Sequence, residues 1–197
     1  LFCGEPLPVP LARTLRKRFP DLPILNTYGP TEATVATTLL RVEDSHLAND
    51  AIMPIGRAKR DSWVFCDAGE LCIAGPHVMR GYINRPDLNA SRMFERDGQR
   101  GFRTGDLGEL RPNGLLKITG RAKELFKTAK GKYVAPAPIE NLINVHPMVE
   151  MSLVTGNGQA AAIAVVVLAE ELRPRQHDSA FRSQAQAEME ALLADVN

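Results

Sequence analysis

Apolar side chains recur at every third or fourth residue near both ends of the chain, which is the spacing of an amphipathic helix. In residues 8–19 these side chains are Leu11, Leu15 and Phe19. In residues 181–196 they are Met189, Leu192, Leu193 and Val196. The pattern predicts helices over 8–19 and 181–196, and a shorter helix over 139–145 after two prolines.

Runs of β-branched and apolar residues between the helices predict strands. The predicted strands span residues 22–25, 34–42, 63–66, 70–74, 102–104, 107–110, 115–119, 148–155 and 160–168. The last two are joined by Gly156-Asn157-Gly158, which favours a hairpin turn. This order of elements predicts a fold of mixed α/β and α+β class, in which a β-rich region precedes a small α+β domain.

The polar stretch 26–34, between the first two predicted strands, carries side chains that suit a nucleotide. The ring of Tyr28 can lie on a purine face, and the amide of Asn26 can read a base edge. Gly29 has no side chain and lets the backbone approach a ligand closely. The stretch therefore predicts contacts with a nucleoside.

Two further residues of this stretch suit the phosphate end of a nucleotide. Thr31 can donate a hydrogen bond to a phosphate oxygen. Glu32 can bind Mg²⁺, which prefers one or two carboxylates together with substrate phosphates. The alternative for Glu32 is a solvated surface acid, and Tyr28-Gly29-Pro30-Thr31 taken alone also fits a simple turn.

Composition and charge argue against several classes of function. The 197 residues carry a net charge of +1 and are 6% aromatic, so no nucleic-acid surface is expected. No apolar run reaches the roughly 20 residues that span a bilayer, and the start has no signal-peptide pattern. The cysteines, Cys3, Cys66 and Cys72, lack metal-ligand spacing, which favours reduced thiols in a cytoplasmic protein.

Four segments in a fixed order make the sequence similar to the adenylate-forming, or AMP-binding, superfamily. They are Gly4-Glu5-Pro6, residues 26–34, Phe102-Arg103-Thr104-Gly105-Asp106-Leu107, and Gly120-Arg121-Ala122-Lys123-Glu124 with the loop around Gly131. The superfamily includes acyl-CoA synthetases, adenylation domains of peptide synthetases, D-alanine–carrier-protein ligases and luciferases. The resemblance implies that residues 1–121 are the C-terminal portion of the large AMP-binding domain and that residues 122–197 are an incomplete, small, mobile C-terminal domain.

The resemblance also implies an adenine pocket in the first of these domains. Gly4, Glu5 and Pro6 match the segment that lines this pocket in the family. Asn26 and Tyr28 match residues that contact adenine.

The ribose and phosphate site is implied by four more residues. Thr31 matches a phosphate-binding hydroxyl, and Glu32 matches the carboxylate associated with Mg²⁺. Asp106 matches the carboxylate that accepts both ribose hydroxyls, a suitable role because an ionised Asp is only an acceptor. Arg121 matches an arginine that reaches the ribose and phosphate region. The structural alternatives are a Gly-Asp turn for Asp106 and a salt bridge at a domain edge for Arg121.

The second domain contains three matched residues. Lys123 falls at the hinge position, about which the family's C-terminal domain rotates between two half-reactions. Gly131 lies in a loop that resembles the one lining the pantetheine tunnel, and Lys127 lies near a lysine implicated in the second half-reaction. Lys123 can also be an exposed lysine, and Lys130 and Lys132 are more simply solvated charges.

The implied reaction has two steps. A carboxylic acid substrate attacks the α-phosphate of MgATP to give an acyl-adenylate, and a thiol of CoA or of carrier-protein phosphopantetheine then displaces AMP. The hinge and loop favour an acyl substrate, as in fatty acid metabolism. The stretch 26–34 is instead similar to amino-acid-activating members that load a carrier protein. A catalytically inactive nucleotide-binding module is the third alternative.

Two parts of the family's pattern are not found in the sequence. The phosphate loop rich in Ser, Thr and Gly belongs before Leu1, and the lysine used during adenylation belongs after Asn197. We therefore expect the chain to be a piece of the middle and C-terminal parts of a longer synthetase, without ATP–pyrophosphate exchange of its own. Oligomeric state has no signature in the sequence.

Overall fold

The structure, a computed structural model, describes residues 1–48 and 53–194. The chain divides into two compact units, one of Leu1–Ala122 and one that begins at Lys123. Both contain helices and strands, so the predicted mixed class is confirmed. The assignment of 1–121 and 122–197 to particular family domains stays a prediction. In the described residues, no helix is long and apolar enough to cross a membrane, and the three cysteines are free thiols.

The first unit opens with a helix and a three-stranded antiparallel sheet. The elements are α1 (Val9–Arg18), β1 (Leu25–Tyr28), β2 (Thr38–Arg41) and β3 (Arg57–Ala58). The strands lie in the order β1-β2-β3, with Tyr28 opposite Thr38. Phe2 pairs with Asn26 in the parallel direction and so extends the sheet beside β1.

Helix α1 packs through a different face from the one that the sequence predicted. Val9 and Ala12 are buried, and Leu15 packs partly against the same cluster. Leu11 and Phe19 are each 44% exposed. Successive residues are about 100° apart around a helix, so burial of Ala12 turns Leu11 towards solvent.

Strand β1 begins three residues later than the strand predicted over 22–25. Backbone partners explain the difference, because Leu25 O accepts from the Phe2 N–H at 2.8 Å and the Thr27 N–H donates to Phe2 O at 2.9 Å. Pro23 has no N–H to contribute to such a ladder. The predicted nucleotide motif therefore begins inside the strand and not after it.

The chain turns sharply between β1 and β2. A short 3-10 helix, Thr31–Ala33, is followed by Thr34 and Val35, whose φ values are +55° and +65°. This left-handed backbone interrupts the extended conformation, so β2 begins only at Thr38. The strand predicted over 34–42 is correct in its second half alone.

A five-stranded antiparallel sheet forms much of the rest of the first unit. Its strands are β4 (Trp63–Asp67), β5 (Glu70–Ala74), β6 (Met93–Arg96), β7 (Gln99–Leu110) and β8 (Leu116–Arg121), and the helix α2 (Pro86–Arg92) precedes β6. The strand order is β4-β5-β7-β6, and β8 pairs with the second half of β7. The strands predicted over 102–104 and 107–110 are one continuous strand, and α2 and β6 were not predicted.

Tyr28 packs against two apolar clusters of the first unit. One cluster is built around Ile73 and Phe102, and the other around Leu71 and Leu116. All four residues belong to strands of the five-stranded sheet. The ring of Tyr28 therefore holds the end of β1 against that sheet.

The second unit contains two strand pairs and two helices. Its elements are β9 (Phe126–Lys127), β10 (Tyr133–Val134), α3 (Pro136–Ile143), β11 (Val149–Thr155), β12 (Ile163–Leu168) and α4 (Ser179–Leu193). β9 pairs with β10, and β11 pairs with β12 across the predicted hairpin, both antiparallel. The predicted loop around Gly131 connects β9 and β10.

The core of the second unit agrees with the predicted face of its last helix. Met189 and Leu193 of α4 pack against the buried cluster around Ile143 and Val149. The helix begins at Ser179, earlier than predicted, because Asp178 Oδ1 caps it by accepting from the N–H groups of residues 180 and 181. Val196, which the sequence also placed on this face, lies outside the described residues.

Gly29 provides a test of the packing around the turn between β1 and β2. A Cβ here would lie 2.6 Å from Val35 O and 2.7 Å from Thr37 N, so main-chain atoms would have to move. We expect Gly29→Ala to lower the free energy of unfolding of the first unit by about 3 kcal/mol, the upper end for overpacking. Urea unfolding followed by the fluorescence of Trp63, the only tryptophan, measures it.

The control is Gly98→Ala. Gly98 has a φ of +72°, but a Cβ there would meet no atom within 4 Å. Its replacement should cost about 1 kcal/mol for the left-handed backbone alone. Equal losses in the two variants would contradict the account of Gly29.

Candidate functional site

Asp106 of β7 is at the centre of a small polar network. The Tyr28 hydroxyl donates to Asp106 Oδ2 at 2.5 Å, although the two residues are 78 positions apart. Arg121 Nε lies 3.2 Å from Asp106 Oδ1. The Asp106 side chain is 14% exposed and that of Arg121 is 65% exposed. Each oxygen of this largely buried carboxylate therefore has a partner, and one of the two partners is open to solvent.

Strand pairing explains why Arg121 meets Asp106. The two residues are directly opposite each other in the ladder between β7 and β8. Directly opposed side chains lie on the same face of an antiparallel pair, within reach of each other. The ion pair is the alternative that the sequence left open for Arg121, and a role at the nucleotide stays a prediction.

Hydrogen bonds fix the backbone immediately before Asp106. Thr104 Oγ1 accepts from the Asp106 N–H at 3.0 Å and donates to Leu71 O at 2.8 Å. Gly105 has a φ of +80°, and its N–H donates to Glu70 Oε1 at 2.8 Å. A residue with a side chain would have strained backbone at that φ. Glycine therefore allows the turn that orients the Asp106 carboxylate.

Glu70 is in turn held by two arginines. Arg92 Nη1 lies 3.3 Å from Glu70 Oε1, and Arg103 Nη1 lies 3.6 Å from Oε2. Arg103 Nη2 also donates to Asp67 Oδ2 at 2.6 Å. Sequence reasoning missed this cluster because its members come from α2 and three different strands, which only the strand order brings together.

The hydroxyl of Tyr28 remains a hydrogen-bond donor. Burial, and then the negative charge of Asp106 and the hydrogen bond to it, raises the pKa of Tyr28 well above its usual value. Ionisation would bury a second negative charge beside the carboxylate. The contact of the ring with a purine face stays a prediction.

Two residues predicted to face a ligand have partners within the protein. Asn26 is buried, and its amide nitrogen donates to Pro54 O at 2.8 Å. Gly29 lies against the backbone of Val35 and Thr37. The requirement for glycine at this position is explained by contact between chain segments, without a ligand.

Gly4, Glu5 and Pro6 lie towards the end of the sheet where Tyr28 is found. They follow Phe2, which pairs in parallel with Asn26 of β1. The segment 4–6 and the end of β1 therefore run towards the same end of the sheet. All three residues are exposed. The structure thus brings the two segments that were predicted to contact adenine to the same end of the sheet.

Thr31 and Glu32 lie in the short helix that follows β1. Thr31 is exposed and Glu32 is half-buried. The hydroxyl of Tyr82, which was not predicted as a functional residue, donates to Glu32 Oε1 at 2.5 Å. Burial, then the hydrogen bond to Glu32 and its charge, raises the pKa of Tyr82 to about 12. No periodicity or motif in the sequence indicates this contact.

The candidate residues of the second unit lie near its start. Lys123 is exposed in a short 3-10 helix. Lys127 of β9 is exposed, and its Nζ lies 5.3 Å from the centroid of the Tyr133 ring on β10. Gly131 has a φ of +82°, which the loop between these strands requires.

Two family models match the chain. Residues 1–83 match that of the AMP-binding enzymes, and residues 124–196 match that of the AMP-binding enzyme C-terminal domain. Together they cover more than half of the chain, in the order that the sequence motifs predicted. The chain belongs to the AMP-binding, or adenylate-forming, enzyme family.

Two carrier-protein ligases are similar to this chain. The D-alanine–D-alanyl carrier protein ligase of Lactiplantibacillus plantarum is 44% identical over 132 residues, 61% of this chain and 26% of the relative. The ligase of the same name from Lacticaseibacillus rhamnosus is 33% identical over 193 residues, 92% of this chain and 38% of the relative. The chain thus spans well under half of the length of these two relatives.

A solved structure supports the same fold. O-succinylbenzoate coenzyme A synthetase from Bacillus subtilis, in complex with ATP and magnesium ion, has a TM-score of 0.69 and 27% identity. The match covers 87% of this chain and 38% of that chain. The predicted fold, that of an adenylate-forming enzyme with an AMP-binding C-terminal domain, is confirmed.

The contact between Tyr28 and Asp106 makes a prediction about titration. We expect Asp106→Asn to lower the pKa of Tyr28, because the neighbouring negative charge no longer opposes ionisation, while burial keeps the pKa above its usual value. A pH titration of ¹³C-labelled tyrosine by NMR measures it. Asp97→Asn, at an 89% exposed side chain, is the control. An unchanged Tyr28 titration in Asp106→Asn would contradict the contact.

Proposed function

We propose that this chain carries the adenosine-binding part of an AMP-forming acid–thiol ligase. The observation that carries the proposal is the contact between Tyr28 and Asp106. It holds an aromatic ring and an acceptor-only carboxylate side by side, and a nucleoside requires both for its base and its ribose hydroxyls. Arg121 adds a permanent positive charge at the same place.

The Asp106 carboxylate can accept hydrogen bonds from a ribose while it keeps its hydrogen bond to Tyr28. An ionised carboxylate has about four acceptor positions, and Tyr28 and Arg121 use only part of them. Arg121 is mostly exposed and can turn from Asp106 towards a phosphate, whereas the Tyr28 hydroxyl is fixed by its half-buried ring. In this proposal, Gly4, Glu5 and Pro6 border the base.

The phosphate end of the nucleotide is assigned to Thr31 and Glu32. The exposed Thr31 hydroxyl is free to approach a phosphate oxygen. Glu32 suits Mg²⁺, because its carboxylate is half-buried and one oxygen is already oriented by Tyr82. Bound Mg²⁺ would offset the negative charge on the phosphate oxygens.

The proposed reaction activates a carboxylic acid and then transfers it. A carboxylate oxygen of the substrate bonds to the α-phosphorus of ATP, and the bond from that phosphorus to the bridging oxygen of pyrophosphate breaks. The thiol of CoA or of a carrier-protein phosphopantetheine then loses its proton to solvent and its sulfur bonds to the carbonyl carbon, while the bond from that carbon to the phosphate oxygen of AMP breaks. The contribution of this chain is to orient the nucleotide and to stabilise charge.

The second unit is assigned to the thiol half-reaction. Lys123, at its start, is proposed as the hinge residue. Gly131, in the loop between β9 and β10, is proposed to border the pantetheine path, with Lys127 nearby. A cytoplasmic location is consistent with ATP as a substrate and stays a prediction.

The relatives favour an amino acid as the carboxylic acid and a carrier protein as the acceptor. Both relatives described above are D-alanine–D-alanyl carrier protein ligases. A fatty acyl substrate, which the hinge and loop favoured in the sequence, has no such support and remains the alternative. A non-catalytic nucleotide-binding module would use the same adenosine contacts.

The proposed adenosine site can be tested by calorimetric titration of this chain with a non-hydrolysable acyl-adenylate analogue. We expect Asp106→Ala to weaken binding by about 2–3 kcal/mol, because charge-assisted hydrogen bonds to the ribose are lost. Asp97→Ala should bind like the unsubstituted chain. Equal affinity of the Asp106→Ala variant, with circular dichroism showing that it is folded, would contradict the assignment of the ribose.

A further inference from the structure

Tyr82 binds the carboxylate that the proposed function assigns to Mg²⁺. Its hydroxyl donates to Glu32 Oε1, as described above, across 50 positions of sequence. The ring is half-buried and packs against the cluster around Ile73 and Phe102. The partner is a carboxylate oxygen, which accepts, so the phenol hydroxyl is the donor in this contact.

The backbone of Tyr82 is clamped by one side chain of α2. Asn89 Oδ1 accepts from the Tyr82 N–H at 2.7 Å, and Asn89 Nδ2 donates to Tyr82 O at 3.0 Å. Gly81 has a φ of +146°, and a Cβ at this position would lie 2.9 Å from Asn89 Oδ1. The backbone that carries the phenol is therefore fixed by hydrogen bonds.

The segment that carries Tyr82 is tied to the Glu32 turn at two further points. The Met79 N–H donates to Glu32 O at 2.8 Å. Thr34 Oγ1 donates to His77 O at 2.8 Å. Both the main chain and the side chain of Glu32 are thus held by the same segment.

We propose that Tyr82 is a positioning residue for magnesium, which fixes the rotamer of Glu32 so that one carboxylate oxygen is held by the phenol and the other is directed to the ion. The inference rests on the proposed function, because it takes Glu32 as the ligand. Mg²⁺ demands nearly ideal octahedral geometry, so a freely rotating carboxylate is a poor ligand for it. Residues that orient a metal ligand typically affect metal affinity tenfold to a hundredfold.

The experiment is calorimetric titration of the 197-residue chain with ATP, once with MgCl₂ and once with EDTA. The measured quantity is the factor by which Mg²⁺ tightens ATP binding. We expect Tyr82→Phe to reduce this factor about tenfold and to leave the affinity in EDTA within about twofold. The ring and its packing are retained, so only the hydroxyl is lost.

A double-mutant cycle separates positioning from a general structural effect. In the Glu32→Gln background, Tyr82→Phe should cause no further loss of the Mg²⁺ factor, because the phenol acts through the carboxylate. Met93→Leu, at another residue packed on the same cluster, is the matched control and should keep the Mg²⁺ factor. Additive losses, or an unchanged factor in Tyr82→Phe, would overturn the inference alone. Absence of ATP binding by the unsubstituted chain would overturn the proposed function as well.

Discussion

The hydrogen bond between the Tyr28 hydroxyl and Asp106 is the contact on which the candidate site depends. It joins the end of β1 to the middle of β7, two strands of different sheets. A largely buried carboxylate is costly without partners, and Tyr28 and Arg121 supply them. Because the Tyr28 ring also packs on two clusters of the five-stranded sheet, the same residue provides apolar contact and polar satisfaction. Loss of this contact would separate the proposed base and ribose sites.

The turn between β1 and β2 contains strained backbone. Thr34 and Val35 are β-branched residues in left-handed backbone, which is an uncommon and strained combination. The bond from Thr34 Oγ1 to His77 O stabilises the turn that contains them. Such strain tends to persist where the surrounding structure over-determines it, often near functional sites. Here the strained backbone begins two residues after Glu32, between the proposed phosphate residues and β2.

Periodicity and motifs in the sequence predicted the position of α1, the apolar face of α4 and most strands of the five-stranded sheet. These patterns gave wrong predictions where contacts between residues distant in the sequence determine the local structure. The pairing of Phe2 shifted β1, and burial of Ala12 turned α1. The sequence motifs also named Tyr28, Asp106 and Glu32 as candidates. The partners of these residues depend on strand order and on packing across the sheet, so Tyr82 and the arginines around Glu70 could not be found from local patterns.

The central claim is that Tyr28 and Asp106 form one half of a nucleoside site that exists before the ligand binds. A crystal structure of this chain with AMP tests it most directly. The account predicts both ribose hydroxyls on the Asp106 carboxylate, the purine on the Tyr28 ring, and the contact between Tyr28 and Asp106 retained. AMP bound elsewhere, with the contacts of Asp106 to Tyr28 and Arg121 unchanged, would contradict the claim.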